Sequence, residues 1–131
     1  MVKGSNIFRY SDIVYADLAP AAGHEQNKRR PLIVVSNDDF NRHSTMTFIC
    51  PVTSSDNGYF LHVDIGEVKA KYSDELITGF AAVEQIKALD LPARNAQLLG
   101  RAPDEVMEKI SELAQMILLR DDQMLVPNTY V

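Results

Sequence analysis

Between Gly23 and Val35 the chain reads GHEQNKRRPLIVV, with a histidine, a glutamate and three successive cations standing directly before an unbroken apolar run. A simple chain reversal needs only Gly, Pro, Asn or Asp, so this mixture has the character of an anion site. Arg30 is the first candidate, because a guanidinium presents a rigid fork of donors that meets phosphate oxygens two at a time, as an ammonium does not. Its place before Pro31 sets it at the mouth of the following strand. The alternative is a solvated arginine in a basic turn. Lys28 and Arg29 are either general phosphate attractors or simply solvated. His24 and Glu25 lie a few residues upstream, and either can move a proton, His24 because an imidazole titrates near neutrality. A histidine in such a loop is also commonly a bystander.

A second group follows the apolar run TFICPV. Thr53, Ser54 and Ser55 stand at its end, where hydroxyls and free backbone N–H groups can hold an anion or simply cap their own turn. Glu84 lies within GFAAVEQI, where a carboxylate is costly unless it is paired or used, and with Gln85 it makes a polar interruption. His43 and His62 are dispersed, and no His/Cys/Asp/Glu group has the close spacing of a structural zinc site; no metal and no cofactor are expected. There is no G-x-S-x-G elbow, so a serine hydrolase is not supported.

These residues need a scaffold, and the hydrophobic periodicity supplies one. DIVYADL (12–18) alternates with Val14, Ala16 and Leu18 on one face, which predicts a half-buried strand. PLIVV (31–35) predicts a fully buried strand, SNDDFNRHS (36–44) a polar connection, and TMTFICPV (45–52) the next strand. After the turn TSSDNG (53–58), YFLHVDI (59–65) alternates Tyr59, Leu61 and Val63 against Phe60, His62 and Asp64. Residues 66–79 have no clean period and read as a loop with a short helical turn. FAAVEQIKALDL (80–91) reads as a strand crossing Glu84 and Gln85, and AQLLG (96–100) as a closing strand. PDEVMEKISELAQMILL (103–119) is an amphipathic helix with Val106, Ile110, Leu113 and Ile117 in its stripe, Pro103 at its first position and Asp104 and Glu105 at its positive end. Residues 120–131 form a tail. Five or more short strands followed by one helix predict a mainly β fold with α, a small curved barrel with the helix on its outside.

Bulk properties bound the function. The 131 residues fit one domain, expected over 1–119, with 46% apolar and 24% charged residues. No apolar run approaches the ~20 residues of a membrane helix, and MVKGSNIFRYSDIV lacks the apolar core of a secretory signal, so a cytoplasmic protein without membrane contact is expected. The single cysteine, Cys50, sits in a buried-strand context and reads as inert core. The net charge of −5 argues against a general nucleic-acid surface. Its distribution is uneven, with six Lys/Arg against five Asp/Glu in residues 1–43 and seven against thirteen in 44–131. A local cationic site on an acidic body is therefore compatible with the composition.

Taken in order, SDIVYADLAPAAGHEQNKRRPLIVVS, the Asn41-Arg42 pair, CPVTS (50–54), GYFLHV (58–63) and VEQIKALDLPAR (83–94) resemble the PemK/MazF family of toxin endoribonucleases, its Kid-like branch in particular. The resemblance implies an SH3-like, CcdB/PemK-type small barrel with a C-terminal helix, a homodimer that cleaves single-stranded RNA (mRNA), and a cognate antitoxin protein that restrains it. It also implies that Arg30, Glu84, His24 and Thr53 are catalytic and that Glu25, Gln26, Lys28, Arg29, Ser54 and Gln85 bind substrate. Glu84 stands where the family usually has Asp. Ala82 replaces an arginine of the Kid-like branch, Tyr15 takes a position often held by Trp, and residues 66–77 look longer than the usual loop.

On this reading the 2′-hydroxyl of the RNA is an internal nucleophile, and cleavage is a metal-independent transesterification with Glu84 as base, Arg30 as charge stabiliser and acid, and His24 assisting. The alternative is a CcdB-like gyrase-poisoning toxin without nuclease activity, which the tail LVPNTYV leaves open. A peptide-binding SH3-like adaptor is a weaker one.

Overall fold

A computed structural model describes residues 8–18, 29–55 and 58–123. In chain order these form β1 (Asp12–Asp17), β2 (Arg29–Val34), α1 (Asp38–His43), β3 (Thr47–Thr53), β4 (His62–Asp64), β5 (Val68–Lys69), β6 (Leu76–Ile77), β7 (Phe80–Ala82), β8 (Lys87–Leu89), β9 (Gln97–Arg101) and α2 (Asp104–Leu118). Short 3-10 turns occupy Val83–Gln85, Pro92–Arg94 and Asp121–Gln123.

Among the described residues the main sheet runs β4-β7-β3-β2-β1-β9, with β8 as a further partner of β3, and β5 and β6 make a separate hairpin. All pairings are antiparallel. The sheet is not closed, since β4 and β9 are its two ends. Because strand side chains alternate between faces, β1, β2 and β3 feed two cores. Ile13, Ile33, Cys50 and Val52 join Val63, Ala81 and Val83 beneath Val106, Met107 and Ile110 of α2. Val14, Ala16, Leu32, Val34 and Ile49 join Leu89 and Leu91 on the opposite face. Each large apolar side chain buried in this way contributes ~1.5–3 kcal/mol, so α2 is held by its buried stripe more than by its intrinsic propensity. The helix packs on β4 and on the 83–85 turn, which carry His62 and Glu84.

Four local readings of the sequence need correction. The connection predicted over 36–44 contains α1, whose N-cap Asn37 accepts a 2.8 Å hydrogen bond from the Phe40 N–H. Asp38 and Asp39 in its first turn and Arg42 and His43 in its last complement the helix dipole. The strand predicted over 59–65 pairs only at His62–Asp64. Residues 66–79 contain the β5–β6 hairpin, and no helical turn; Lys71 N–H donates to the Leu99 carbonyl at 2.7 Å, tying the hairpin to β9. The strand predicted over 80–91 is two strands, β7 and β8, interrupted by the turn that holds Glu84 and Gln85.

Candidate active site

The interruption in the strand beside β3 builds the site. β7 pairs Ala81 with Val52, and β8 pairs Lys87 with Ile49, so five residues, 82–86, lie opposite only two, Cys50 and Pro51. Extra residues on one strand bend it and re-aim its side chains. Val83 stays in the core at 2% exposure, while Glu84 is turned outward instead of being trapped in a buried strand. The desolvation cost that marks a carboxylate in an apolar sequence is thereby avoided.

Period-two alternation brings the other groups to the same side. Leu32 pairs with Pro51, and extending that register two residues outward brings Arg30 level with Thr53. Ala82 pairs with His62. Arg30, Thr53, Ser55, Tyr59, His62, Glu84 and Gln85 thus line one cleft of about 570 Å³, floored by Pro51 and Ala82. Its contributors are β2, β3, β4, the 83–85 turn and the segment entering β4.

Within the cleft the Arg30 guanidinium has no ion-pair partner among the described residues. Glu84 is paired: its Oε2 lies 3.2 Å from His62 Nε2, with the imidazole 9% and the carboxylate 27% exposed. Gln85 Nε2 donates to the same Oε2 at 3.4 Å. The Thr53 hydroxyl accepts a 3.2 Å hydrogen bond from the Ser55 N–H, so it caps its own turn. That leaves its proton free to donate into the cleft. Beneath the turn, burial first and the Glu84 charge second push the Cys50 thiol up to about 12, which makes it inert at neutral pH. Among the described residues no three His, Cys, Asp or Glu side chains come together as a metal site.

Of the residues singled out from the sequence, Arg30, Thr53, Glu84 and Gln85 meet at this cleft. Ser54 is exposed but is not among the lining residues, and Ser55 takes its place. Arg29 is engaged elsewhere. Its guanidinium pairs with Asp17 at 2.9 Å, donates to the carbonyls of Tyr15 (3.1 Å) and Asn95 (2.9 Å), and lies 4.8 Å from the Tyr15 ring centroid. It fastens β1 to the turn before β9 and is not among the residues that line the cleft. His24, Glu25, Gln26 and Lys28 lie outside the described residues.

Two residues of the cleft are not found by sequence reasoning. His62 looks dispersed because 22 positions separate it from Glu84, and Tyr59 looks like one member of an alternating run. A signal is present in YFLHVDI, whose alternation separates His62 from Leu61 and Val63. What the alternation does not carry is the pairing of this strand with β7.

A guanidinium with no counter-ion among the described residues shares this open cleft with a carboxylate and hydroxyls, a set of groups that can bind a phosphate ester. The particular class follows from comparison. Residues 9–118 match the family described as PemK-like, MazF-like toxin of type II toxin-antitoxin system, and the chain belongs to that family. It is 38% identical over 117 residues to the endoribonuclease toxin ChpB of Escherichia coli strain K12, across 83% of this chain and 91% of that one. It is 30% identical over 114 residues to endoribonuclease EndoA of Bacillus subtilis strain 168, across 86% and 95%. The structure superposes on a MazE-MazF crystal structure (form II) from Deinococcus radiodurans with a TM-score of 0.73 and 28% identity, covering 86% of this chain and 96% of the other. The gyrase-poisoning alternative is not supported by these likenesses. No helix among the described residues is long and apolar enough to cross a membrane.

Proposed function

We propose that this endoribonuclease toxin cuts single-stranded RNA at the Arg30–Thr53–Glu84 cleft by metal-independent transesterification. The observation that carries the reading is the Arg30 guanidinium, without an ion-pair partner among the described residues, sharing the cleft with a carboxylate whose Oε2 lies 3.2 Å from His62 Nε2 and accepts from Gln85. Glu84 takes the proton of the 2′-hydroxyl through Oε1, the freed oxygen attacks the adjacent phosphorus, and the bond to O5′ breaks. Arg30 balances the charge on the phosphorane, where a preorganised cation contributes most. A guanidinium keeps its proton at neutral pH, so Arg30 serves as charge stabiliser and the acid role expected of it passes to the assisting His24. Thr53 positions the phosphate, and the exposed ring of Tyr59 in the cleft offers a face on which an unpaired base can stack.

The same reading places the site in one SH3-like barrel domain over 1–119, in a cytoplasmic homodimer restrained by an antitoxin. The exposed Ile117, Leu118 and Leu119 at the end of α2 support an association face. The chemistry is tested with an RNA carrying hydrogen in place of the scissile 2′-hydroxyl. It should bind but not be cut, the all-RNA control should yield a 2′,3′-cyclic phosphate and a 5′-hydroxyl, and EDTA should have little effect. Cutting of the deoxy substrate at a comparable rate, or loss of activity in EDTA with recovery in Mg²⁺, excludes the mechanism. Sedimentation showing a fully active monomer at micromolar concentration excludes the homodimer.

A further inference from the structure

The imidazole of His62 is only 9% exposed at the cleft, and the reaction described above gives it no task. Its two nitrogens sit in different surroundings. Nε2 faces Glu84 Oε2 at 3.2 Å, while Nδ1 is buried and has no hydrogen-bond partner among the described residues. The Tyr59 ring stands edge-on to the imidazole at 5.4 Å and 88°, and the small Ala82 lies opposite in the strand register. The ring is therefore wedged between an aromatic edge and the sheet, with one nitrogen delivered to the carboxylate.

This asymmetry selects a protonation state. A hydrogen on Nδ1 would be a buried donor without an acceptor, and a bare Nε2 would set its lone pair against a carboxylate oxygen; both are unfavourable. The neutral tautomer with hydrogen on Nε2 satisfies the one contact that exists. His62 then donates to Oε2, Gln85 donates to the same atom, and no hydrogen bond among the described residues engages Oε1. We infer that His62 is a positioning residue for this reaction: as an Nε2–H donor it fixes the Glu84 carboxylate, with Oε1 presented to the 2′-hydroxyl. The assignment rests on Glu84 being the base. It differs from a structural histidine because the donor atom, not the ring's bulk, is what matters.

The groups facing Glu84 from neighbouring elements are His62 on β4, Arg30 on β2, Tyr59 before β4, and Cys50 of β3 beneath. Replacing His62 removes one of the two hydrogen bonds to Oε2 and leaves the other groups in place. The test uses the full-length toxin on a cleavable fluorogenic RNA, with kcat and KM followed from pH 5 to 9. H62L should lower kcat ~10- to 100-fold, the scale of a reacting group misplaced by a fraction of an ångström to an ångström. KM should stay within about twofold of wild type. H62Q, whose amide nitrogen reaches the same place with a hydrogen to donate, should recover most of the rate. The double variant H62L/E84Q should be no slower than E84Q, because the two groups act as one unit.

E84Q at the wild-type rate would overturn the base reading and this inference with it. An inactive E84Q beside an H62L of unchanged kcat would overturn this inference alone. H62Q as slow as H62L would show that the ring's packing, and not its donor, is what the site needs.

Discussion

Gly79 joins the β5–β6 region to the site, and replacing it with alanine reads the packing of both. Its φ is +136°, in a region open in practice only to glycine. A Cβ there would lie 2.7 Å from the Thr53 carbonyl oxygen and 2.7 Å from Val52 Cγ1. Backbone strain of this kind costs ~1–3 kcal/mol, and overpacking against a rigid neighbour a similar ~1–3 kcal/mol. One backbone shift relieves part of both, so the net loss should be about 3 kcal/mol. At ~2.1 cal/mol/K per residue the unfolding entropy of a 131-residue chain is ~0.28 kcal/mol/K, and Tm should fall by about 10 °C. Gly66 is the control: its φ of +74° carries strain, but nothing lies within 4 Å of its added Cβ. Gly66→Ala should cost about 1 kcal/mol and ~4 °C. Relief of the clash at Gly79 must move the end of β3, so Thr53 moves with it. Gly79→Ala should then lose ~3- to 10-fold in cleavage rate at 25 °C, after normalisation to the folded fraction, whereas Gly66→Ala should not. Thermal unfolding followed by circular dichroism and an initial-rate RNA assay give the two readouts. A Tm for Gly79→Ala no lower than that of Gly66→Ala would refute the close approach of Gly79 to β3.

The adjacent arginines should separate cleanly. Arg30→Ala should lose at least ~100-fold in kcat/KM with Tm unchanged, while Arg29→Ala should keep its activity within about threefold and unfold at lower temperature, since Arg29 ties Asp17, Tyr15 and Asn95. A folded Arg29→Ala variant as inactive as Arg30→Ala would place both at the phosphate. Asp17 supplies the pH dependence: hydrogen bonds from Arg29 and then Asn95 hold its carboxyl below the ordinary value. A folded-state pKa below the unfolded one stabilises fully above the unfolded value, and that stabilisation is lost as pH falls through the folded one. Asp17→Asn should therefore be less stable at pH 7 and show a shallower loss of stability below the carboxylate range, as measured by urea unfolding from pH 2.5 to 7. A slope identical to wild type would remove Asp17 from the acid transition.

Elements set by local periodicity are legible in the amino-acid order alone. β1, β2, β3, β9 and α2 lie close to their predicted spans because each is long enough for its pattern to exceed the noise of a single substitution. Apart from α1, whose cap and dipole residues are local, the misreadings share one cause, that the deciding interaction is not local. The β5–β6 hairpin has only two residues in each strand, too few to show a period. The 80–91 segment has a strand's composition throughout, yet its partner β3 offers only Cys50 and Pro51 opposite five of its residues. The surplus must leave the sheet.

That surplus also explains why the site is half legible. Glu84 stands out in the sequence because a carboxylate between apolar neighbours is uncomfortable, and Arg30 because cations crowd the start of a buried strand. Each announces itself by conflict with its own surroundings. His62 raises no such conflict, since in an isolated strand an imidazole on the polar face of YFLHVDI is unremarkable. Its significance appears only when β4 pairs with β7 and the bulge after Ala82 carries Glu84 back over the ring. A residue used through its own chemistry can be found from its neighbours in the chain; one used by orienting another is found only through its neighbours in space.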